Sequence, residues 1–290
     1  MLAADDPWLL KQDVALALGG VGWTALACLP LFQWLDANRV RPGLIATTGF
    51  ATLPAALWAL GMPAGEIARC LVDHLPNRVF RRHNPMPLLS VIGFPMPNRG
   101  LSHALWRSRP LRAACARLFG DARLEAMQVP LHVTLIDSLT GGFRTLTDGN
   151  VAAIAYASTA LLPALPPLRI DGHWLGDASA CLAAPLGYLL RPNLRHAVAV
   201  TCGFPPPERY RSLVDQQFTL QMVLQKSGLK TSALLALELL AGEIIVLAAR
   251  LRRSVDPFDT AIVPDVIAAG EQELERSRER VDLLLRRVAA

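Results

Sequence analysis

The segment from Gly43 to Gly61 constrains the fold more than any other part of the chain. Gly43-Leu44-Ile45-Ala46-Thr47 is a short apolar run of strand length, Thr48-Gly49 is a tight turn, and Ala55-Ala56-Leu57-Trp58-Ala59-Leu60 reads as a helix. A strand that enters a helix so abruptly holds its central residue at strained backbone angles, which glycine adopts without steric penalty. A similar unit lies upstream. Val14-Ala15-Leu16-Ala17-Leu18 is a compact apolar run bounded by glycines, the pattern of a strand buried on both faces. It leads through Gly19-Gly20-Val21-Gly22 into a helical stretch that ends near Asn38. Strands alternating with helices in this way predict an α/β fold with a mainly parallel sheet.

In α/β hydrolytic enzymes the same layout is a nucleophile elbow, G-x-S-x-G, which exposes a serine hydroxyl above the sheet. Here the turn reads Thr47-Thr48-Gly49-Phe50-Ala51, so Gly49 stands in the serine's place. Far downstream comes Ile170-Asp171-Gly172-His173-Trp174-Leu175-Gly176-Asp177-Ala178-Ser179, followed by Pro185. Taken together, these segments resemble the patatin-like phospholipases, whose pattern is a strand, G-G-G-x-R-G, a helix, G-x-S-x-G and, much later, D-G-G or D-G-A. Val129–Val133 leading to Asp137 and Thr140-Gly141, Ala157–Ala160 leading to Pro166-Pro167, and Ala261–Asp265 look like that family too. The resemblance covers roughly residues 12–270. It implies a three-layer α/β/α fold, a Ser–Asp dyad and an oxyanion hole made by the glycine-rich turn. Carried over residue by residue, Gly20, Val21 and Gly22 match the hole, Gly49 the nucleophile and Asp177 the base.

The departures bear directly on chemistry. Thr24 stands where the family has a basic residue, and Ala178-Ser179 replaces the residues after the aspartate. Gly49 has no side chain, so acyl-enzyme chemistry has no first step. Phe50, beside the elbow, either occupies the space of a substrate carbonyl or packs in the core. The aspartate alone is retained, and an aspartate can also persist by capping a turn. The leading expectation is therefore a catalytically silent patatin-like protein that keeps an acyl- or lipid-binding cleft and acts by binding or by regulating a partner. The alternative is an acyl hydrolase or acyltransferase that uses another nucleophile, with Thr48, Ser179 and Cys28 as candidates.

The 290 residues, 52% of them hydrophobic, suit one large domain with a sizeable core rather than a disordered chain. The expected layout is a single domain, 1–290, with its core at about 12–270. The Met1–Asp6 start has no basic-then-apolar leader, and the five scattered cysteines show no C-x-x-C pair. These features predict reduced thiols and a cytoplasmic location, with peripheral membrane contact as an option. No long uncharged run free of breaks predicts a membrane span. The histidines show no ligand spacing and no basic, aromatic-laced stripe marks a nucleic-acid reader, so neither a metal, another cofactor nor nucleic acid is expected.

Arginines gather in residues 77–110, among them Arg78, Arg81 and Arg82, beside Met86, Leu88, Leu89, Phe94 and Met96. Long irregular segments of compact domains are often lids. Arginines mixed with apolar residues suit an anionic membrane surface or an acidic partner such as an acyl carrier protein; the plain alternative is a solvated loop.

Rival motifs are weaker. Gly20-Val21-Gly22-Trp23-Thr24-Ala25 fits a dinucleotide fingerprint, yet the second strand ends at Thr47-Thr48 without the acidic residue that fingerprint needs. Gly100-Leu101-Ser102-His103-Ala104 follows prolines rather than a strand, and Ser227-Gly228-Leu229-Lys230 is a short S-x-x-K of the kind chance supplies. His132 lies in an apolar strand and reads as a core residue. The C-terminal third predicts helices over Ser212–Leu229 and Ala233–Arg253, the second apolar on most faces and so suited to covering the sheet or forming a homo- or hetero-oligomer. Glu271–Arg287 predicts a charged amphipathic helix.

Overall fold

The computed structural model describes residues 9–80, 104–189, 194–209, 213–239 and 242–287. An eight-stranded sheet forms the centre. Its strands are β1 (Leu9–Leu18), β2 (Val40–Thr47), β3 (Leu131–Asp137), β4 (Phe143–Leu146), β5 (Leu168–Ile170), β6 (His173–Asp177), β7 (His196–Gly203) and β8 (Glu243–Arg250), in the order β5-β6-β3-β2-β1-β7-β8, with β4 also on β3. β3, β2, β1, β7 and β8 are parallel neighbours, whereas β4, β5 and β6 add antiparallel pairings at one end. The sheet is mostly parallel and carries helices on both faces, as expected.

Alternation along β1 decides the layers. Val14, Leu16 and Leu18 face the larger core with Ile45, Val133 and Val198. Helices α1 (Leu29–Ala37), α2 (Thr52–Ala59), α3 (Ala64–His74), α4 (Ser108–Phe119), α5 (Val151–Thr159) and α7 (Val263–Arg276) contribute to that same core. Ala15 and Ala17 face the other side, where Ala46, Ala197, Ala199 and Leu44 meet Leu186, Leu189 and Leu194. Small residues on that face let a short 3-10 turn (Leu186–Leu189) lie close to the sheet, and α6 (Leu213–Leu239) packs beyond it. Asp36 locks α1 to its neighbours. Its carboxylate accepts from Arg41 Nη1 at 2.8 Å, Trp58 Nε1 at 3.0 Å and the Ala64 amide at 3.0 Å.

Two expectations for the C-terminal third are corrected. Residues 233–253 are not one helix. α6 runs on to Leu239, and Glu243–Arg250 is β8, paired in parallel with β7 from His196↔Glu243 to Gly203↔Arg250. The run Ile244-Ile245-Val246-Leu247 is largely β-branched and mostly buried against a neighbouring strand, and an apolar run of that length fits either structure until a partner is known. An oligomer built on a 233–253 helix therefore loses its element. The charged terminal helix begins earlier than 271 and is broken at Ser277 into α7 and α8 (Arg278–Arg287). Of the 77–110 segment, Asn77–Val79 forms a 3-10 turn and α4 begins at Ser108, while residues 81–103 lie outside the described residues. Among the described residues no helix is long and apolar enough to cross a membrane.

Candidate active site

The two glycine-bearing turns meet at the carboxyl ends of β1 and β2, where open parallel sheets place their ligand sites. Leu18 pairs with Thr47 in register, so the residues after each strand leave the sheet side by side. The Thr48 amide donates to Leu18 O at 3.1 Å and the Gly19 amide to Val200 O at 3.1 Å, which ties both turns to the sheet. Gly49 has φ +65°, and the chain passes at once through the 3-10 turn Gly49–Ala51 into α2. The backbone is thus that of an elbow with glycine at its apex. Space reinforces the choice. A Cβ on residue 49 would lie 2.8 Å from the Gly20 carbonyl oxygen, 2.7 Å from Ser179 Cβ and 3.0 Å from Ser179 Oγ.

The loop after β1 turns inward on the elbow. In an α/β hydrolase the amide that follows the nucleophile helps to bind the oxyanion. Here that amide, on Phe50, donates to Gly20 O at 3.2 Å, so a backbone carbonyl takes an oxyanion's place. The Trp23 amide donates to Pro257 O at 2.7 Å, and the Thr24 amide and hydroxyl both donate to Val21 O, at 3.3 and 2.8 Å. Gly22, with φ +53°, admits the close approach of Pro257, whose carbonyl oxygen would be 2.1 Å from a Cβ there. Val21 is half-buried and extended, with φ −97° and ψ 126°. Thr24 is buried, and its hydroxyl is spent on the carbonyl three residues back.

Asp177 ends β6 and is placed beside β3 by the antiparallel pair Leu135↔Asp177. Its Oδ1 accepts the Ser179 amide at 2.7 Å. Burial pushes the Asp177 carboxyl up to about 7, against the opposing pull of hydrogen bonding from Ser179. At strict hydrogen-bond geometry Ser179 Oγ has no partner, so the amide is the firmer restraint on the carboxylate and the hydroxyl contact is loose. Ser179 is fully buried, and its carbonyl accepts from Gln225 Nε2 of α6 at 2.5 Å.

Phe50 is a core aromatic. It is 2% exposed, and its ring lies 5.3 Å from Trp23 and 6.1 Å from Phe80; Phe80 and Trp106 in turn meet Phe258 at 5.4 and 5.0 Å. Aromatic surface therefore fills the volume beside the elbow. The other candidate nucleophiles are enclosed as well. Thr48 is buried with Oγ1 unpartnered, and burial pushes the Cys28 thiol up to about 12.

The structure thus brings Gly20, Val21, Gly22, Gly49, Phe50 and Asp177 to one site. Arg81, Arg82 and the side chain of Arg78 lie outside the described residues. Sequence reasoning missed Pro257 and Gln225, which close the site from more than 40 residues away along the chain, and no local pattern announces either. A groove of about 450 Å³ lies elsewhere, between α3 and α4, lined by Asp73, His74, Val79, Arg109 and Arg117. Among the described residues no group of His, Cys, Asp and Glu is placed to hold a metal ion.

No family model matches the chain. Among solved structures it is similar to VipD from Legionella pneumophila, with a TM-score of 0.40 and 11% identity, over 93% of this chain and 67% of that one. It is also similar to the type III effector protein ExoU, with a TM-score of 0.39 and 14% identity, over 96% of this chain and 54% of that one.

Proposed function

We propose that this chain is a catalytically silent protein of patatin-like type that works by binding a lipid, an acyl group or a protein partner rather than by turning substrate over. The observation that carries this reading is the hydrogen bond from the Phe50 amide to Gly20 O, made across a residue 49 that has no side chain. Nucleophile and oxyanion donor are lost together, and each loss alone costs orders of magnitude in rate. The reading includes a cytoplasmic site of action with peripheral membrane contact, and it gives Arg78, Arg81 and Arg82 the role of meeting an anionic surface or an acidic carrier protein. The test is hydrolysis of short-chain nitrophenyl esters and of phospholipid vesicles. The expected rate equals the buffer background and is the same for Asp177→Asn. A wild-type rate well above background that collapses in Asp177→Asn overturns the proposal.

One observation favours a second reading. Ser179 Oγ sits beside the vacated nucleophile position and next to a carboxyl pushed up to about 7, a value suited to a general base near neutral pH. In that reading Ser179 is a displaced nucleophile and the chain is an acyl hydrolase or acyltransferase. Its burial opposes this, because α6 and the Gly49 turn leave its hydroxyl no access to solvent. Ser179→Ala separates the two: it abolishes any hydrolysis in the second reading and changes nothing in the first.

A further inference from the structure

The outward face of α6 carries exposed aliphatic side chains between Leu220 and Leu234, where a surface helix is normally polar. Gln225 and Leu229 turn inward, Gln225 to the Ser179 carbonyl and Leu229 to the smaller core. On the opposite side, Leu220, Val223, Leu224 and Leu234 are 54%, 57%, 54% and 65% exposed. Their spacing of 3, 4 and 14 from Leu220 sets them along one stripe of a helix about 40 Å long. Ser227 and Thr231, both exposed or nearly so, continue the stripe with small uncharged side chains. Exposed Lys226 and Lys230 flank it on one side, and no Asp or Glu occurs between Asp215 and Glu238. Along the middle of the helix, exposed aliphatic side chains thus stand beside two exposed lysines, with the exposed acid Glu238 one turn past Leu234 at its end.

From these features we infer that the outer face of α6 is a docking surface for an anionic lipid bilayer. The helix lies flat in the interface, with Leu220, Val223, Leu224 and Leu234 entering the acyl boundary and Lys226 and Lys230 against the headgroups. An apolar face bordered by lysines is the pattern of in-plane interfacial helices. α6 is not apolar enough to cross a membrane, so the orientation inferred is in-plane. The sign of the charge selects the lipid, because a neutral partner gains nothing from two lysines in an acid-free stretch of helix. The inference does not depend on whether the elbow is silent, and it names residues other than Arg78, Arg81 and Arg82.

The test is co-sedimentation of the full chain with phosphatidylcholine vesicles containing about one third phosphatidylserine, and with phosphatidylcholine alone, at low and high salt. The expected result is binding to the anionic vesicles that weakens with salt. Lys226→Gln with Lys230→Gln should lower the partition coefficient about fivefold per lysine. Leu220→Gln, Val223→Gln and Leu224→Gln together should lower it at least tenfold. Leu234→Gln is a second variant should the triple one fail to fold. Absence of binding by the wild type at low salt overturns the inference, as does unchanged binding by the folded α6 variants. Loss of binding in Arg78→Ser/Arg81→Ser/Arg82→Ser alone assigns the contact to the other segment. A dimer that the triple variant converts to a monomer assigns the face to a second copy of the chain.

Discussion

Ser179 occupies the room that a side chain on Gly49 would need, with its Cβ only 2.7 Å from where a Cβ of residue 49 would stand. The strand-end turn and the loop after Asp177 are therefore fitted to each other, and a change in either is felt in the other. Gly49→Ser should be destabilising by at least about 1–3 kcal/mol from the backbone angle alone. Adding Ser179→Gly should return part of that loss, a coupling on the order of 1 kcal/mol. Urea melts of the two single variants and the double variant measure it. Strict additivity would mean that the two loops do not touch.

Phe50 is held by rings on two sides. Phe50→Ala should cost about 3–5 kcal/mol, the usual loss for emptying a buried aromatic site, while Phe50→Leu should cost less. Neither should create ester hydrolysis, because the Phe50 amide stays on Gly20 O whichever side chain the residue carries. A hydrolytic Phe50→Ala protein would show that the ring, and not the backbone, blocks the site.

Stability should depend on pH through Asp177. Its folded value of about 7 lies above the ordinary 3.8, so the folded state binds the extra proton. Stability from this group is present below about 4 and falls as pH rises through 7. Asp177→Asn removes that slope. The variant should match wild type near pH 4 and exceed it at pH 8 by as much as a few kcal/mol. Thermal melts at several pH values read this directly. Asp137 acts in the opposite sense, because the Leu139 amide and then His173 pull its carboxyl down, and its contribution fades only in acid. A wild-type curve that is flat from pH 4 to 8 would contradict the burial of Asp177.

The thiols should separate by access. Cys28 and Cys115 are buried and pushed up to about 12, whereas Cys181 is exposed. An aromatic disulfide reagent should react fastest at Cys181, and Cys181→Ser should remove the fast phase. Rapid labelling of Cys28 in the native protein would show that the core beside the glycine-rich loop opens.

Much of this was legible in the chain because it is local. Leu18 and Thr47 end apolar runs, and Gly49 marks a turn whose backbone needs φ above zero, so strand, turn and helix could be placed from neighbouring residues alone. The strand Glu243–Arg250 was not, since Ile244–Leu247 satisfies a helix as well as a buried strand and only β7 decides between them. The antiparallel strands Phe143–Leu146 and Leu168–Ile170 went unread as well, being too short to show alternation. Within the site, the glycines and Asp177 could be listed in advance. The Phe50–Gly20 hydrogen bond could not, because it depends on the register of β1 against β2 and on Pro257 drawing the loop inward.

The mutual fit of Gly49 and Ser179 also constrains how either position can change. A serine placed at 49 collides with Ser179, and a glycine at 179 first opens a void that nothing yet fills. Even with both exchanged, the Phe50 amide remains bonded to a carbonyl. Each single exchange is therefore costly on its own, and the two positions can change at low cost only together.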